Sequence, residues 1–389
     1  MVDFQRNVFC LLGLPFDAIN MADTVQRVRD AAARRVPCLL STPNTNWVVN
    51  CLADGQSRDS AISSDLSLAD GRPLVWIARL LDIPIREPVP GSTLFDWLRS
   101  VSGRQLSVFF FGGVDGAAEK ACRRLRMENQ GLTCVGFDSA GFGSIEDMSR
   151  DEVIQRINMS KADFLVVALG AKKGQAWIER NRACISVPLI SHLGAVVNFV
   201  AGTVRRAPAW MQRLGLEWLW RIKEEPGLWV RYFRDGFTLL ALLATRVVPY
   251  AWYLRSNKPD AGSSSAGGVE ARDEQDECVI TLSGVWTRED LARVRDSYER
   301  ASLACKDVRL NLHATTYVDS SFVGLTILLL GSQKQLGKAF HIVGAQEPVR
   351  RIVRYCCAEY LFASYPAALP PNAAETLRRR RMSKERVRC

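Results

Sequence analysis

Histidine is nearly missing from this 389-residue chain, which holds only His192, His313 and His341. None of its eleven cysteines forms a CxxC pair, and no histidine stands at ligand spacing from one. A zinc site therefore has no donor set, and neither a metal nor any other cofactor is expected. No GxGxxG is present, which argues against a dehydrogenase on a dinucleotide fold. The amino terminus, MVDFQRNVFCLLGLPFD, has an apolar patch but no basic n-region and no small-residue cleavage site, so it reads as a first strand rather than a signal peptide. Long apolar runs are also scarce. Phe237–Leu254 has 18 residues but is interrupted by Arg246 and Pro249. A central arginine costs about 2.5–3.5 kcal/mol on insertion, so an interfacial or partly inserted helix is favoured over a span, with a helix buried on the protein as the plain alternative.

What is present is ordinary globular composition, 48% hydrophobic and 24% charged, with length for two domains. The odd cysteine count, mostly in apolar contexts, reads as reduced core thiols in a cytosolic chain. The net charge of +10 sits in two places. Nine Lys and Arg face four Asp and Glu between Arg205 and Arg255, and seven face one from Arg378 onward. Anionic partners follow: nucleotide phosphates, lipid headgroups or nucleic acid. No nucleic-acid-binding module accompanies the charge, so nucleic acid is not expected.

Through the first 200 residues apolar runs alternate with amphipathic segments. Strands are expected at Cys38–Thr42, Val108–Phe111, Thr133–Phe137, Phe164–Ala168 and Pro188–Ser191, with helices such as Met21–Arg35, Ala117–Gln130 and Arg150–Ser160 between them. That alternation predicts an α/β fold with a mostly parallel sheet, whose ligands gather at the carboxyl ends of the strands. The segments after those strands are therefore the ones to read. Pro43-Asn44-Thr45-Asn46 ends the first strand. Leu68-Ala69-Asp70-Gly71 is by spacing a turn. Gly112-Gly113 precedes a helix and suits a phosphate. Gly170-Ala171-Lys172-Lys173-Gly174-Gln175 brings two cations, and His192 reads as a hydrogen-bonded core residue rather than a catalyst. Beyond them, Phe199–Tyr232 packs Trp210, Trp218, Trp220 and Trp229 among six cations, a composition suited to clamping phosphates or lying on a membrane. Trp210, Leu214, Trp218 and Ile222 recur every four residues, predicting one helical face.

Taken together, Thr42-Pro43-Asn44, Ala69-Asp70-Gly71, Leu169-Gly170-Ala171, Gly194, Phe199-Val200-Ala201-Gly202, Arg206-Ala207-Pro208, Gly215-Leu216-Glu217-Trp218 and Glu225-Pro226 resemble the TagA/WecG/CpsF bacterial glycosyltransferases over roughly Phe9 to Arg234. The resemblance implies a Rossmann-like glycosyltransferase domain (GT-E type) with a helical appendage. It also implies inverting transfer of a sugar (N-acetylmannosamine-type, glucose or a uronic acid relative) from a UDP-sugar to a polyprenyl-diphosphate-linked glycan, at the inner face of the cytoplasmic membrane, in cell-surface or exopolysaccharide synthesis. On its motifs Asp70 is the general base and Thr42 stands beside it in the catalytic pair. Asn44, Gly112, Gly113, Lys172, Arg206 and Arg221 contact substrate. Where the family reads Glu-Arg-Val-x-Gly-x-Asp, this chain has Glu87-Pro88-Val89-Pro90-Gly91-Ser92-Thr93. Lys172-Lys173-Gly174-Gln175 replaces Pro-Lys-Gln-Glu, and Gly227 and Leu228 replace basic residues. These departures motivate the alternative of a non-catalytic, sugar-nucleotide-binding scaffold.

Ser256–Asp276 reads as a flexible linker. After it, strands Cys278–Ser283, Val308–Leu312 and Ala339–Val343 alternate with helices Arg288–Ala304, Ser321–Leu336 and Glu347–Tyr355. Leu282-Ser283-Gly284, Leu310-Asn311-Leu312, Val318-Asp319-Ser320-Ser321 and Val343-Gly344 resemble a STAS domain of the anti-sigma-factor-antagonist type. That implies a docking or regulatory module with Ser320 as the phosphorylated position for a partner kinase, while on local chemistry Asp319 and its serines equally form a helix cap. The expected organisation is thus 1–200 transferase domain, 201–255 cationic aromatic appendage, 256–276 linker, 277–366 STAS domain and 367–389 basic tail. A homo-oligomer is compatible with it.

Overall fold

The computed structural model describes residues 2–139, 143–257 and 267–367. Two compact units divide them: Asp17–Ala241, and Met1–Phe16 together with Leu242–Cys389. Near the amino terminus β1 (Val8–Leu11) and β2 (Leu14–Asp17) form a separate two-stranded sheet.

The unit Asp17–Ala241 is built on β3 (Cys38–Ser41), β4 (Leu66–Ser67), β5 (Leu106–Gly112), β6 (Leu132–Asp138), β7 (Phe164–Ala168) and β8 (Leu189–His192). These make one six-stranded sheet in the order β4-β3-β8-β7-β5-β6, with every pairing parallel. A parallel sheet is covered on both faces, and β3 and β7 are correspondingly buried at every residue. Period-two alternation sorts β5 into two cores. Val108 and Phe110 pack with Phe95, Phe164 and Val197 on one face; Phe109 and Phe111 pack with Ile157, Trp177 and Ile178 on the other. The ring of Phe111 stacks on Trp177 with centroids 4.3 Å apart.

Short polar residues start the helices at the strand ends, as their capping preference dictates. Asn20 accepts from the Asp23 N–H at 2.8 Å before Met21–Arg34, and Asn44 accepts from the Trp47 N–H at 3.0 Å before Thr45–Ala53. The chain then leaves the sheet through helices Ala209–Leu214, Glu217–Glu224 and Trp229–Leu242. The single helix expected to carry Trp210, Leu214, Trp218 and Ile222 is therefore two. Gly215, at φ +73°, ends the first with a left-handed residue that redirects the chain.

In the other unit β9 (Gly268–Asp273), β10 (Glu277–Trp286), β11 (Asp307–Val318) and β12 (Phe340–Val343) form a sheet in the order β12-β11-β10-β9. The first is antiparallel to β10 and the others are parallel. Helices Ala292–Ala304, Ser320–Leu336 and Glu347–Tyr355 complete the alternation read from the sequence.

Three expectations are corrected. The amino-terminal strand does not join the large sheet but belongs with the carboxyl-terminal unit. There Arg295 donates to the Phe4 and Arg6 carbonyls (2.5 and 2.6 Å), Gly13 N–H donates to the Cys356 carbonyl (2.6 Å), and the backbone at Phe9–Cys10 passes so close to Gly324 that a Cβ would lie 2.9 Å from it. Part of the linker is strand β9, whose exposed charges suit a sheet edge, with Asp273 held by Lys306 at 2.5 Å. The cysteines are not all thiols: Cys122 and Cys134 pair, with Cα atoms 5.1 Å apart. Phe237–Leu254 divides its residues: Val247, Tyr250 and Ala251 are buried protein contacts, with Tyr250 stacked on Tyr355 at 5.5 Å and Arg246 paired with Glu359 at 2.9 Å, whereas Phe237, Leu240, Val248 and Trp252 are exposed. Residues 258–266 of the expected linker and the basic tail from 368 onward lie outside the described residues.

Candidate active site

A cleft of about 480 Å³ opens over the carboxyl ends of β4, β3, β8 and β7. It lies where such sheets place ligands. The loops after the two outer strands are stitched together: Leu68 N–H donates to the Ser41 carbonyl at 2.9 Å, and Asp70 N–H to the Pro43 carbonyl at 3.0 Å. Thr42, Asn44 and Asp70 consequently line one wall as neighbours. Gly91 lies beside them for steric reasons. A Cβ there would stand 2.3 Å from Leu193 Cδ2 and 3.1 Å from Thr42 Oγ1, so only glycine lets this loop close on Thr42.

Asp70 faces this cleft as a carboxyl with altered proton affinity. Burial first, and the nearby Glu217 carboxylate second, push its carboxyl up to about 7, while Arg221 and Arg206 pull the other way. A carboxylate with affinity for a proton near neutrality is what a general base requires. Arg221 and Arg231 line the cleft from the appendage, and Lys172 lines it from the first turn of helix Ala171–Asn181, which follows β7 where the sequence suggested a loop. The Arg221 Nε has Glu217 at 4.0 Å and its guanidinium lies over the Phe199 ring at 5.8 Å. Lys172 is exposed, with Asp54 at 3.6 Å. Thr42, Asn44, Asp70, Lys172 and Arg221 are thus brought together as the sequence motifs suggested.

Three sequence-derived candidates are placed differently. Arg206 does not line the cleft: it pairs with Asp96 and donates to Ser92 Oγ at 3.0 Å and Thr93 Oγ1 at 2.8 Å. The hydroxyl at position 93, where an acid was expected, is thereby a partner of this arginine. Gly112 ends β5 and Gly113 follows it, beyond β7 from the cleft. Both have positive φ, Gly113 N–H donates to the Ala168 carbonyl at 2.7 Å, and a Cβ on Gly112 would sit 2.8 Å from that same oxygen, so they serve the close crossing of two loops. His192 is hydrogen-bonded through Nε2 to the Leu169 carbonyl at 2.6 Å, and burial lowers its proton affinity. Lys173 turns away to the Gly143 carbonyl at 2.6 Å.

Arg206→Ala should therefore act on the fold and through Asp70. Losing its hydrogen bonds is expected to cost about 1.5–3 kcal/mol in thermal denaturation. Removing a cation that holds Asp70 down should move the alkaline-rising limb of the pH–rate profile to higher pH. An unchanged melting temperature with a raised donor KM would instead make Arg206 a substrate ligand.

Sequence reading missed Arg231, Asn50, Ser57 and Ser60 as lining residues, the last donating to Gln175 Oε1 at 3.0 Å. The four-residue spacing of Asn46 and Asn50 on helix Thr45–Ala53 was the available signal.

In the other unit Asp319 caps helix Ser320–Leu336, its Oδ1 accepting from the Ser321 and Phe322 N–H groups at 2.9 Å. Its Oδ2 accepts from the Arg288 N–H at 2.8 Å. Ser320 is only 7% exposed and Ser321 is fully buried.

Residues 9–251 match the profile of the glycosyl transferase WecG/TagA/CpsF family, and residues 269–358 match the Mlab, STAS domain profile. Similar proteins include the N-acetylglucosaminyldiphosphoundecaprenol N-acetyl-beta-D-mannosaminyltransferases of Bacillus spizizenii, Bacillus subtilis and Staphylococcus aureus. The first is 28% identical over 170 residues, 43% of this chain and 64% of the relative. The second is 26% identical over 199 residues, 51% and 76% of the two chains, and the third 25% identical over 214 residues, 54% and 82%. This chain thus spans just under two thirds of the first relative and more of the other two.

Proposed function

The chain belongs to the WecG/TagA/CpsF family of glycosyltransferases, and from that premise we propose that its cleft moves a sugar from a UDP-sugar to a hydroxyl of a polyprenyl-diphosphate-linked glycan. The relatives named above act, by name, on a diphosphoundecaprenol-linked sugar, which supports this acceptor class and an N-acetylmannosamine-type donor sugar. One observation carries the reading: Asp70, with a carboxyl raised to about 7, shares a cleft with Arg221 and Arg231. In the proposed step Asp70 takes the acceptor hydroxyl proton as that oxygen bonds to the anomeric carbon. The carbon–oxygen bond to UDP breaks on the opposite face, inverting the centre. Arg221 and Arg231, with Lys172 at the rim, offset the charge gathering on the departing diphosphate. Thr42 and Asn44 hold the reacting sugars beside the base.

Incubating the full chain with UDP-N-acetylmannosamine, UDP-glucose or a UDP-uronic acid and a lipid-diphosphate N-acetylglucosamine acceptor should yield a lipid-linked disaccharide by mass spectrometry. No product with any donor would favour the scaffold reading, which draws on Pro88 and Gly174 standing where the family carries other side chains.

A lipid-linked acceptor places the reaction at a membrane surface, and the appendage supplies an apolar face for it. Pro226–Ser256 is one helical run of 31 residues, long and apolar enough to cross a membrane by length and composition. On its first half Trp229, Phe233, Phe237 and Leu240 fall on one stripe and are 58–72% exposed. We assign this stripe to the interface rather than to a span. Replacing Trp229, Phe233 and Phe237 by serine should lower binding to anionic vesicles about a thousandfold or more in sedimentation, at roughly 1.5–3 kcal/mol per large side chain. Undiminished sedimentation would place the contact elsewhere. The STAS unit fits a docking or regulatory role, and with Ser320 buried a kinase would act there only after the helix start opens.

A further inference from the structure

Asp235 is one of few carboxylates buried in the transferase unit, at 3% exposed on helix Trp229–Leu242. Its Oδ2 accepts from Asn46 Nδ2 at 2.7 Å, across to helix Thr45–Ala53. The other oxygen makes no hydrogen bond and has the Arg234 guanidinium at 3.7 Å. Asn46 Oδ1 in turn accepts from Asn50 Nδ2 at 3.3 Å, and both asparagines line the cleft. One turn before Asp235, on the same face of its helix, Arg231 lines the cleft with its Nε buried and without a partner.

A buried carboxylate is a costly way to pack one helix on another, because its desolvation is only partly offset by one neutral donor and an exposed arginine at 3.7 Å. An apolar residue would pack there at less cost. What the carboxylate adds is direction. As an acceptor only, it turns the Asn46 amide nitrogen toward the appendage and the amide oxygen toward Asn50, and so sets the orientation of two amides in the cleft wall.

We propose that Asp235 is a positioning residue. Its hydrogen bond to Asn46 latches the appendage helix onto the cleft wall, and so places Arg231 where the diphosphate of the sugar nucleotide is held. This rests on the reading of the cleft as a UDP-sugar site, and it adds the element that seats the appendage in it. Fixing a cation before the ligand arrives lowers the ordering cost of binding, so the latch should appear in affinity for the nucleotide.

The test uses the full chain with Asp235→Ala, Asp235→Asn and the exchange pair Asn46→Asp with Asp235→Asn, which rebuilds the hydrogen bond with the carboxylate on the other helix. Two readings are taken: UDP affinity by calorimetry, and amide hydrogen exchange over residues 229–241. Asp235→Ala is expected to weaken UDP binding about tenfold and to speed exchange in 229–241, with the exchange pair restoring the slow exchange to within about threefold of wild type. A lower melting temperature with unchanged UDP affinity would overturn the proposal, leaving Asp235 a structural residue. So would a failure of the exchange pair to restore slow exchange in 229–241. If wild type itself does not bind UDP, the function proposed above fails. The latch is then judged by exchange alone, and unaltered protection of 229–241 in Asp235→Ala overturns it.

Discussion

Replacing Asp70 by asparagine is expected to lower sugar transfer by about 10²–10⁴-fold, the usual contribution of a positioned general base. The amide is nearly isosteric and leaves the Asp70 N–H to Pro43 bond in place, so donor affinity should change little and the loss should fall on kcat. Wild-type activity should rise with pH through a midpoint near 7, where the carboxyl gives up its proton, and the variant should lack that limb. The same shift has a stability consequence of opposite sense. In the unfolded chain the carboxyl releases its proton near its ordinary value of 3.8; in the native protein it keeps it to about 7. The folded state then binds more protons between these values, so Asp70 lowers stability progressively as pH rises from about 4 to 7. Asp70→Asn should accordingly melt higher than wild type at pH 8 and match it near pH 4. A gain in stability paired with loss of activity is a trade expected of a residue kept for chemistry.

Deleting residues 2–16 should abolish cooperative folding of the carboxyl-terminal unit. Phe4, Val8, Phe9, Leu11, Leu14 and Phe16 are each no more than 3% exposed. At about 1.5–3 kcal/mol for each large apolar side chain, the burial of these six sums to roughly 9–18 kcal/mol, an upper range that rivals the whole stability of a domain. Amide exchange of helix Ser320–Leu336 in the deleted chain is the measurement, and loss of its slow-exchanging amides is the expected result. Gly324→Val is a smaller lesion with the same sense, because its added carbon would meet the backbone of Phe9 and Cys10. Wild-type protection in both variants would mean that the STAS unit stands without the chain's first strand.

These two predictions mark what was and was not legible in the sequence. Strands such as Phe164–Ala168 were readable because a parallel strand buried on both faces is a short continuous apolar run. Asp70, Thr42 and Asn44 emerged from motif order, and the sheet then explains their proximity, since they end adjacent strands. The glycines at 112 and 113 misled because a glycine pair before a helix suits a phosphate and a tight loop crossing equally well. For Arg206 the sequence offered no hint of Asp96 and Thr93, which hold it beside the site. The destination of the first strand was invisible: four apolar residues at Val8–Leu11 carry no mark of a partner more than 300 positions away, as Cys10 and Cys356 are. Strand β9 hid among linker residues because its charges serve an edge rather than a core. The Cys122–Cys134 bond spans 12 positions with no spacing motif to announce it.

The most direct test follows UDP and lipid product together in a single turnover by the full-length wild-type chain at pH 8, with Asp70→Asn run beside it. One UDP released for each lipid-linked disaccharide formed, and neither from the variant, is the predicted result. Equal product from both chains would remove Asp70 as the base, and UDP released without lipid-linked product would contradict transfer to a lipid-linked acceptor.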